Sequence, residues 1–397
     1  MMQHVPAAVA AVVIALSGPA AGQVRQVPPV RQIQKPVLRA QPAACLPTRM
    51  AVAGRGAEQP PRSFTSLDRA LKYAESQKLC AVEIEVGAGS QAGEFLITQP
   101  TTLKGRPGAA LKGSVRNPGG FELVIEDLTV SSAPDTAILQ GGGRVTLRNV
   151  TVSLTRRTSD AVRSGTAVEL HSGAEGRFSN LTLEGNEGVA LYLDGENTVA
   201  WATDLVVRKN RVNTAARDQH IKTSVFNRVG AVEVAGQAEL YVDRYEIADN
   251  EMYGLLVRHR GAAHLRNGTV SETRGYKPKN SDITYGGNNV MSSTEARIEL
   301  TAFKTLGAEA CGLRLARALL KTSEGEVHDN AIGFCAIDPA PGFDLTCVLG
   351  KTVRFYKNST NLDVGSLPVP NPACATPNPP PGCSPVAACP GVPWRTK

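Results

Sequence analysis

Arg-Asn-Val-Thr-Val at 148–152 returns as Ser-Asn-Leu-Thr-Leu at 179–183, Thr-Asp-Leu-Val-Val at 203–207 and Arg-Asn-Gly-Thr-Val at 266–270. After each copy and a turn, a small residue opens a second short apolar run: Ala167-Val168, Gly188-Val189, Gly230-Ala231-Val232, Gly254-Leu255, Gly312-Leu313 and Gly333-Phe334. A phrase that recurs in this way marks a repeat architecture, in which each unit buries its apolar side against the next.

The apolar position after each small residue sets the period. Val168 to Val189 and Leu313 to Phe334 are 21 residues apart, and Val232 to Leu255 and Val290 to Leu313 are 23. Short strands that pair in parallel with their counterparts one turn later give coils of about three strands, stacked at roughly 4.7–4.9 Å. Asp127, Asn149, Asn180, Asp204 and Asn267 take equivalent places. They are expected at bends, bonding to nearby backbone or to each other. Asn149-Val-Thr151, Asn180-Leu-Thr182 and Asn267-Gly-Thr269 match the glycosylation pattern. They read as by-products of the repeat, with Asn serving the bend and Thr the strand.

Outward from this core the composition changes. Residues 1–22 carry the apolar run Ala7–Leu16 and the small-residue site Ala20-Ala21-Gly22, which reads as a signal peptide. Residues 23–60 form a linker rich in Pro, Gln and Arg, 61–365 the stacked coils, and 366–397 a tail rich in Pro and Cys. The eight cysteines suit an oxidising compartment, hence a secreted, periplasmic or cell-envelope location, and their connectivity stays open. No apolar stretch is long enough for a membrane helix. Ser66, followed by Leu67, Ala70, Leu71 and Ala74 on one stripe, predicts a helix over about 66–76 that covers the open end of the stack.

Residues 64–360 resemble the right-handed parallel β-helix proteins of the pectin-lyase-like superfamily. The helix followed by Ile84-Glu85-Val86-Gly87 is similar to that family's cap and first coil, and the Asn-x-Thr-Val and Gly-Leu-x-Val phrases resemble its repeats. The resemblance implies an all-β right-handed parallel β-helix, a solenoid with a short N-terminal capping helix. It also implies a substrate groove along one strand face walled by loops. The motifs of the family's enzymes are not seen: the paired Asp of polygalacturonases, Trp-Ile-Asp-His of pectate lyases, Asp-Phe-Ile-Phe-Gly of pectinesterases. Arg258-His259-Arg260-Gly261 is only faintly similar to a Gly-His-Gly site. No catalytic residue carries over.

The period stretches three times, to 30 residues between Ile138 and Val168, 43 between Val189 and Val232, and 35 between Leu255 and Val290. All three insertions enter just before the strand led by Gly or Ala, so they project from one edge, where loops collect function. They are basic. Arg156, Arg157, Arg163, Arg208, Arg211, Arg217, Lys277 and Lys279, with Tyr285, are the candidate substrate-binding residues, and an acidic polysaccharide or cell-surface glycan is the expected partner. Solubilising charge is the competing reading.

Strand alternation places Glu169, Tyr192, Glu233 and Arg258 on one outward face. Two coils separate the glutamates, or roughly 9.5 Å, near the upper end for an inverting glycosidase. A lyase would instead use Lys222, Arg258, His220 or Tyr192 as base or acid. A glycoside hydrolase or polysaccharide lyase is therefore one reading, and a non-catalytic surface or adhesin-like β-helix the other. No cofactor or metal set is expected. Neither is nucleic acid, since no known module or stacking aromatic series accompanies the basic loops. The chain is expected to be a monomer.

Overall fold

The computed structural model describes residues 46–53, 59–156, 165–211, 230–277, 284–337 and 352–364. The expected signal peptide and the tail from 366 lie outside the described residues. Among the described residues twenty-five strands join one sheet, wound as a right-handed parallel β-helix.

Each regular coil uses two strands. A ten-residue strand (Arg144–Ser153, Glu175–Glu184, Val199–Arg208, Glu239–Ala248, Ala262–Ser271, Arg297–Leu306, Leu319–His328) alternates with a short one. The short strands include Thr166–His171, Leu191–Asp194, Val232–Ala235, Tyr253–Val257, Asn288–Ser293 and Cys311–Ala316. The long strand bends at its sixth residue, which adopts a left-handed conformation: Asn149 (φ 52°), Asn180 (50°), Asp204 (57°), Arg244 (58°), Asn267 (59°), Ala302 (49°), Glu324 (53°). The three strand segments expected per coil are thus present, two of them joined through one residue. Asn and Asp accept this conformation most easily. Their side chains form a ladder on the surface: Asn149 Nδ2 donates to Asp127 Oδ1 at 2.8 Å, and Asn180 Nδ2 to Asn149 Oδ1 at 2.9 Å.

The helix spans Leu67–Ser76, with the Ser66 hydroxyl accepting from the Arg69 amide at 3.3 Å. Leu67, Ala70, Leu71 and Ala74 are buried against the first coils. The stack begins earlier than the boundary at 61, because Thr48–Val52 pairs in parallel with Val82–Val86. Met50 and Val52 are apolar at period two and fill the core there.

Inside, side chains stack in columns. One column runs Leu205, Tyr245, Gly268, Phe303, Gly325. The two glycines make room for the two rings. A Cβ on Gly268 would sit 2.4 Å from the Tyr245 ring, and one on Gly325 2.1 Å from Phe303. Alternating large and small residues keeps the core close-packed.

Candidate functional site

The three insertions leave after Ser153, Arg208 and Ser271 and return at Thr166, Val232 and Asn288, the same corner of every second coil. That corner holds a second asparagine ladder, this one buried. Asn186 Nδ2 donates to Asn210 Oδ1, and Asn210 Nδ2 to Asn250 Oδ1, both at 2.9 Å. Each Oδ1 also accepts a backbone amide, from Asn186 and Asn210, at 3.0 Å. Asn289, Asn330 and Asn358 continue the pattern further along. The sequence reading missed this ladder. Its signal is an Asn two places after the strand end, behind a residue with positive φ: Gly185, Lys209, Asp249, Asp329 and Lys357.

Arg157, Arg163, Arg217, His220, Lys222 and Lys279 lie outside the described residues. Glu169, Tyr192 and Glu233 are cross-strand neighbours on the outer face of the short strands, followed by Leu256, Met291 and Arg314. One register differs from expectation. Val168 pairs with Leu191, two residues beyond Val189. The cause is a bulge: the amides of Ala190 and Leu191 both donate to the Ala231 carbonyl, at 2.9 and 3.0 Å. A two-residue shift preserves the face, so Tyr192 sits directly between the glutamates.

This face is not an open groove floor. Glu169 and Glu233 are fully buried and Tyr192 is 4% exposed. The Thr136 hydroxyl donates to Glu169 at 3.4 Å. Arg258 grips Glu233, its Nε at 2.8 Å and Nη2 at 2.6 Å from Oε1. A buried carboxylate needs such a partner, because desolvating a lone charge is costly.

Most of the described basic candidates are already matched. Arg156 pairs with Glu187 at 2.5 Å, Arg208 bonds Glu184 through Nε and Nη2 at 3.1 and 3.0 Å, and Arg211 pairs with Asp249 at 2.7 Å. Stacking repeats brings charges on adjacent rungs into contact, so these arginines bond across coils. Lys277 is exposed.

The third insertion folds back over the face. Gly275–Tyr276 pairs antiparallel with Tyr285–Gly286, and the Gly275 amide donates to Glu309 at 2.7 Å. Tyr276 and Tyr285 pack with Met252, Tyr253, Leu256 and Met291. Leu256 and Met291 point outward, and the tyrosines shield them from water. Tyr285 therefore serves a covering cluster at this rung. Tyr253 lies beside the Glu233–Arg258 pair. Burial raises its phenol above the ordinary value, while Arg314 and Arg258 oppose the shift.

A further ladder occupies the outer face of the long strands. Arg177, Trp201, Tyr241, His264, Glu299 and Lys321 are consecutive neighbours. Trp201 stacks on Tyr241 with ring centroids 6.0 Å apart, Tyr241 on His264 at 4.8 Å, and Arg177 lies 5.9 Å over the Trp201 ring. His264 Nδ1 meets Glu299 at 3.3 Å, and Lys321 pairs with Glu299 at 3.0 Å. The sequence reading saw no stacking aromatic series because the residues lie a full coil apart. Each is the third residue of its long strand. The rings lie against one another along the stack and so brace adjacent coils.

No protein-family model matches the chain, and no curated protein matches it. Among solved structures the chain is similar to the pectate lyase Pel9A, with 11% identity over 81% of this chain and 78% of that one and a TM-score of 0.43. It is also similar to two mannuronan C-5 epimerase A-modules of Azotobacter vinelandii. For AlgE4 the identity is 10%, the coverage 75% and 92%, and the TM-score 0.49. For AlgE6 these are 12%, 75% and 87%, and 0.27. The parallel β-helix itself is read from the chain's own strand pairing. Among the described residues no group of three His, Cys, Asp or Glu side chains could hold a metal ion.

Proposed function

We propose that the protein is exported and binds an acidic polysaccharide along the outer face of the short strands, beneath the insertions at their corner. The observation that carries this reading is the common corner: three insertions leave and rejoin the coils beside the short strands that carry Glu169, Tyr192 and Glu233, with Arg258 paired to Glu233. The Cys311–Cys335 disulfide fits export. Binding is the primary claim. Cleavage by the two glutamates, or by a lyase route through Tyr192 and Arg258, requires Glu233 and Arg258 to exchange each other for substrate.

A second reading, a non-catalytic envelope or adhesin-like β-helix, is favoured by the ion pairing of Arg156, Arg208 and Arg211. Affinity electrophoresis in gels holding pectate, alginate, a glycosaminoglycan or neutral dextran separates the two. Retardation by a charged polymer, weakening with salt, supports the binding reading. No retardation and no unsaturated or reducing-end product overturns it and leaves the second.

A further inference from the structure

Arg314 stands apart from the arginines around it. Arg144, Arg177, Arg208, Arg244, Arg258 and Arg266 each reach a carboxylate on their own or an adjacent coil. Arg314, in the centre of the strand Cys311–Ala316, pairs with no carboxylate among the described residues. Arg297 also has no such partner, but it is exposed and water solvates it. Arg314 is half-buried, and its Nε is buried with no hydrogen-bond partner among the described residues. A desolvated guanidinium N–H without an acceptor is destabilising.

Its position gives that unmet donor a use. Arg314 follows Glu233, Leu256 and Met291 in the outer-face column. The Glu233–Arg258 pair neutralises itself, so Arg314 supplies the surplus positive charge of this end of the face. Met291, half-buried and the cross-strand neighbour of Arg314, makes the adjoining surface apolar. The next strand is tied to its own by the Cys311–Cys335 disulfide, with Cα atoms 6.0 Å apart, and Cys335 is the cross-strand neighbour of Arg314. A fork of donors on a fixed strand beside an apolar surface suits an oxyanion carried on a sugar ring.

We propose that Arg314 is the recognition residue for an oxyanion substituent, a carboxylate or a sulfate ester, of the bound polysaccharide. This rests on the binding reading above. The test compares wild type, Arg314→Gln and Arg314→Lys on four polymers: polygalacturonate, the same polymer methyl-esterified, dextran sulfate and neutral dextran. Wild type is expected to prefer one charged polymer over its uncharged counterpart, and which one identifies the oxyanion. Arg314→Gln should lose about tenfold or more in affinity for that polymer, with the preference collapsing toward one. Arg314→Lys keeps the charge but not the fork and should fall between. Thermal midpoints of both variants should equal or exceed that of wild type, since no ion pair is removed and a buried unmet donor is. A wild type that binds no charged polymer overturns the binding reading and this proposal together. Arg314→Gln with wild-type affinity and preference overturns the role of Arg314 alone. Equal loss for charged and uncharged polymers, or loss accompanied by a lowered midpoint, assigns Arg314 a structural role and overturns it as well.

Discussion

Arg258, just past the end of the strand Tyr253–Val257, meets Glu233 of the preceding coil, with its Nη2 2.6 Å from a carboxylate that water does not reach. Removing one partner strands the other. Arg258→Ala should destabilise the fold by about 3–5 kcal/mol, whereas Glu233→Leu combined with Arg258→Met should cost less than the single change. Thermal midpoints of the three proteins check the order. A double variant less stable than Arg258→Ala would sink the account.

The column through Tyr245 and Gly268 makes opposite predictions for its two members. Gly268→Ala drives a methyl group into the Tyr245 ring and should cost about 1–3 kcal/mol. The Tyr245 hydroxyl is buried with no hydrogen-bond partner among the described residues, so Tyr245→Phe should be neutral or stabilising. Urea midpoints measure both.

Ala302 occupies the bend position that Asn fills in three of the other coils, at φ 49°. Relief of left-handed strain makes Ala302→Asn stabilising by roughly 1 kcal/mol. A lowered thermal midpoint would contradict this.

His264 links stability to pH. Burial pushes its imidazole below the ordinary value, opposed by the hydrogen bond to Glu299. The neutral ring donates from Nδ1, since an ionised carboxylate can only accept. A histidine with a lowered folded pKa contributes stability that is present above the unfolded value, near 6.5, and lost as pH falls toward the folded one. The thermal midpoint should therefore decline from about pH 6.5 downward, and His264→Phe should flatten that decline. An identical pH profile in the variant would refute the assignment.

What the sequence made legible was whatever repeats locally. Asn149 and Asn180 stand inside a recurring phrase, and their bend role follows from chemistry and spacing. The capping helix was legible for the same reason, since Ser66 and the Leu67–Ala74 stripe lie within one short window. Asn186 and Asn210 are as periodic, but their flanking residues differ from coil to coil and hide them. Val189 looks like the apolar lead of its strand, yet the bulge at Ala190 and Leu191 hands that place to Leu191. Trp201, Tyr241 and His264 become one stack only when three coils are aligned. The outward set Glu169, Tyr192 and Glu233 was readable from alternation. Their burial was not, because Tyr276 and Tyr285 show that a loop folded back can turn an outer face into an inner one.

The buried amides of Asn186, Asn210 and Asn250 fix where the chain departs from each long strand, and strand pairing fixes where it rejoins. Whatever hangs between those two points does not disturb the register beyond it. The corner thus behaves as a row of anchored pegs, between which cords of unequal length can be strung. Loop length at this corner becomes a freely adjustable quantity, and a foreign segment spliced between Arg211 and Gly230 should leave the coils on either side in place.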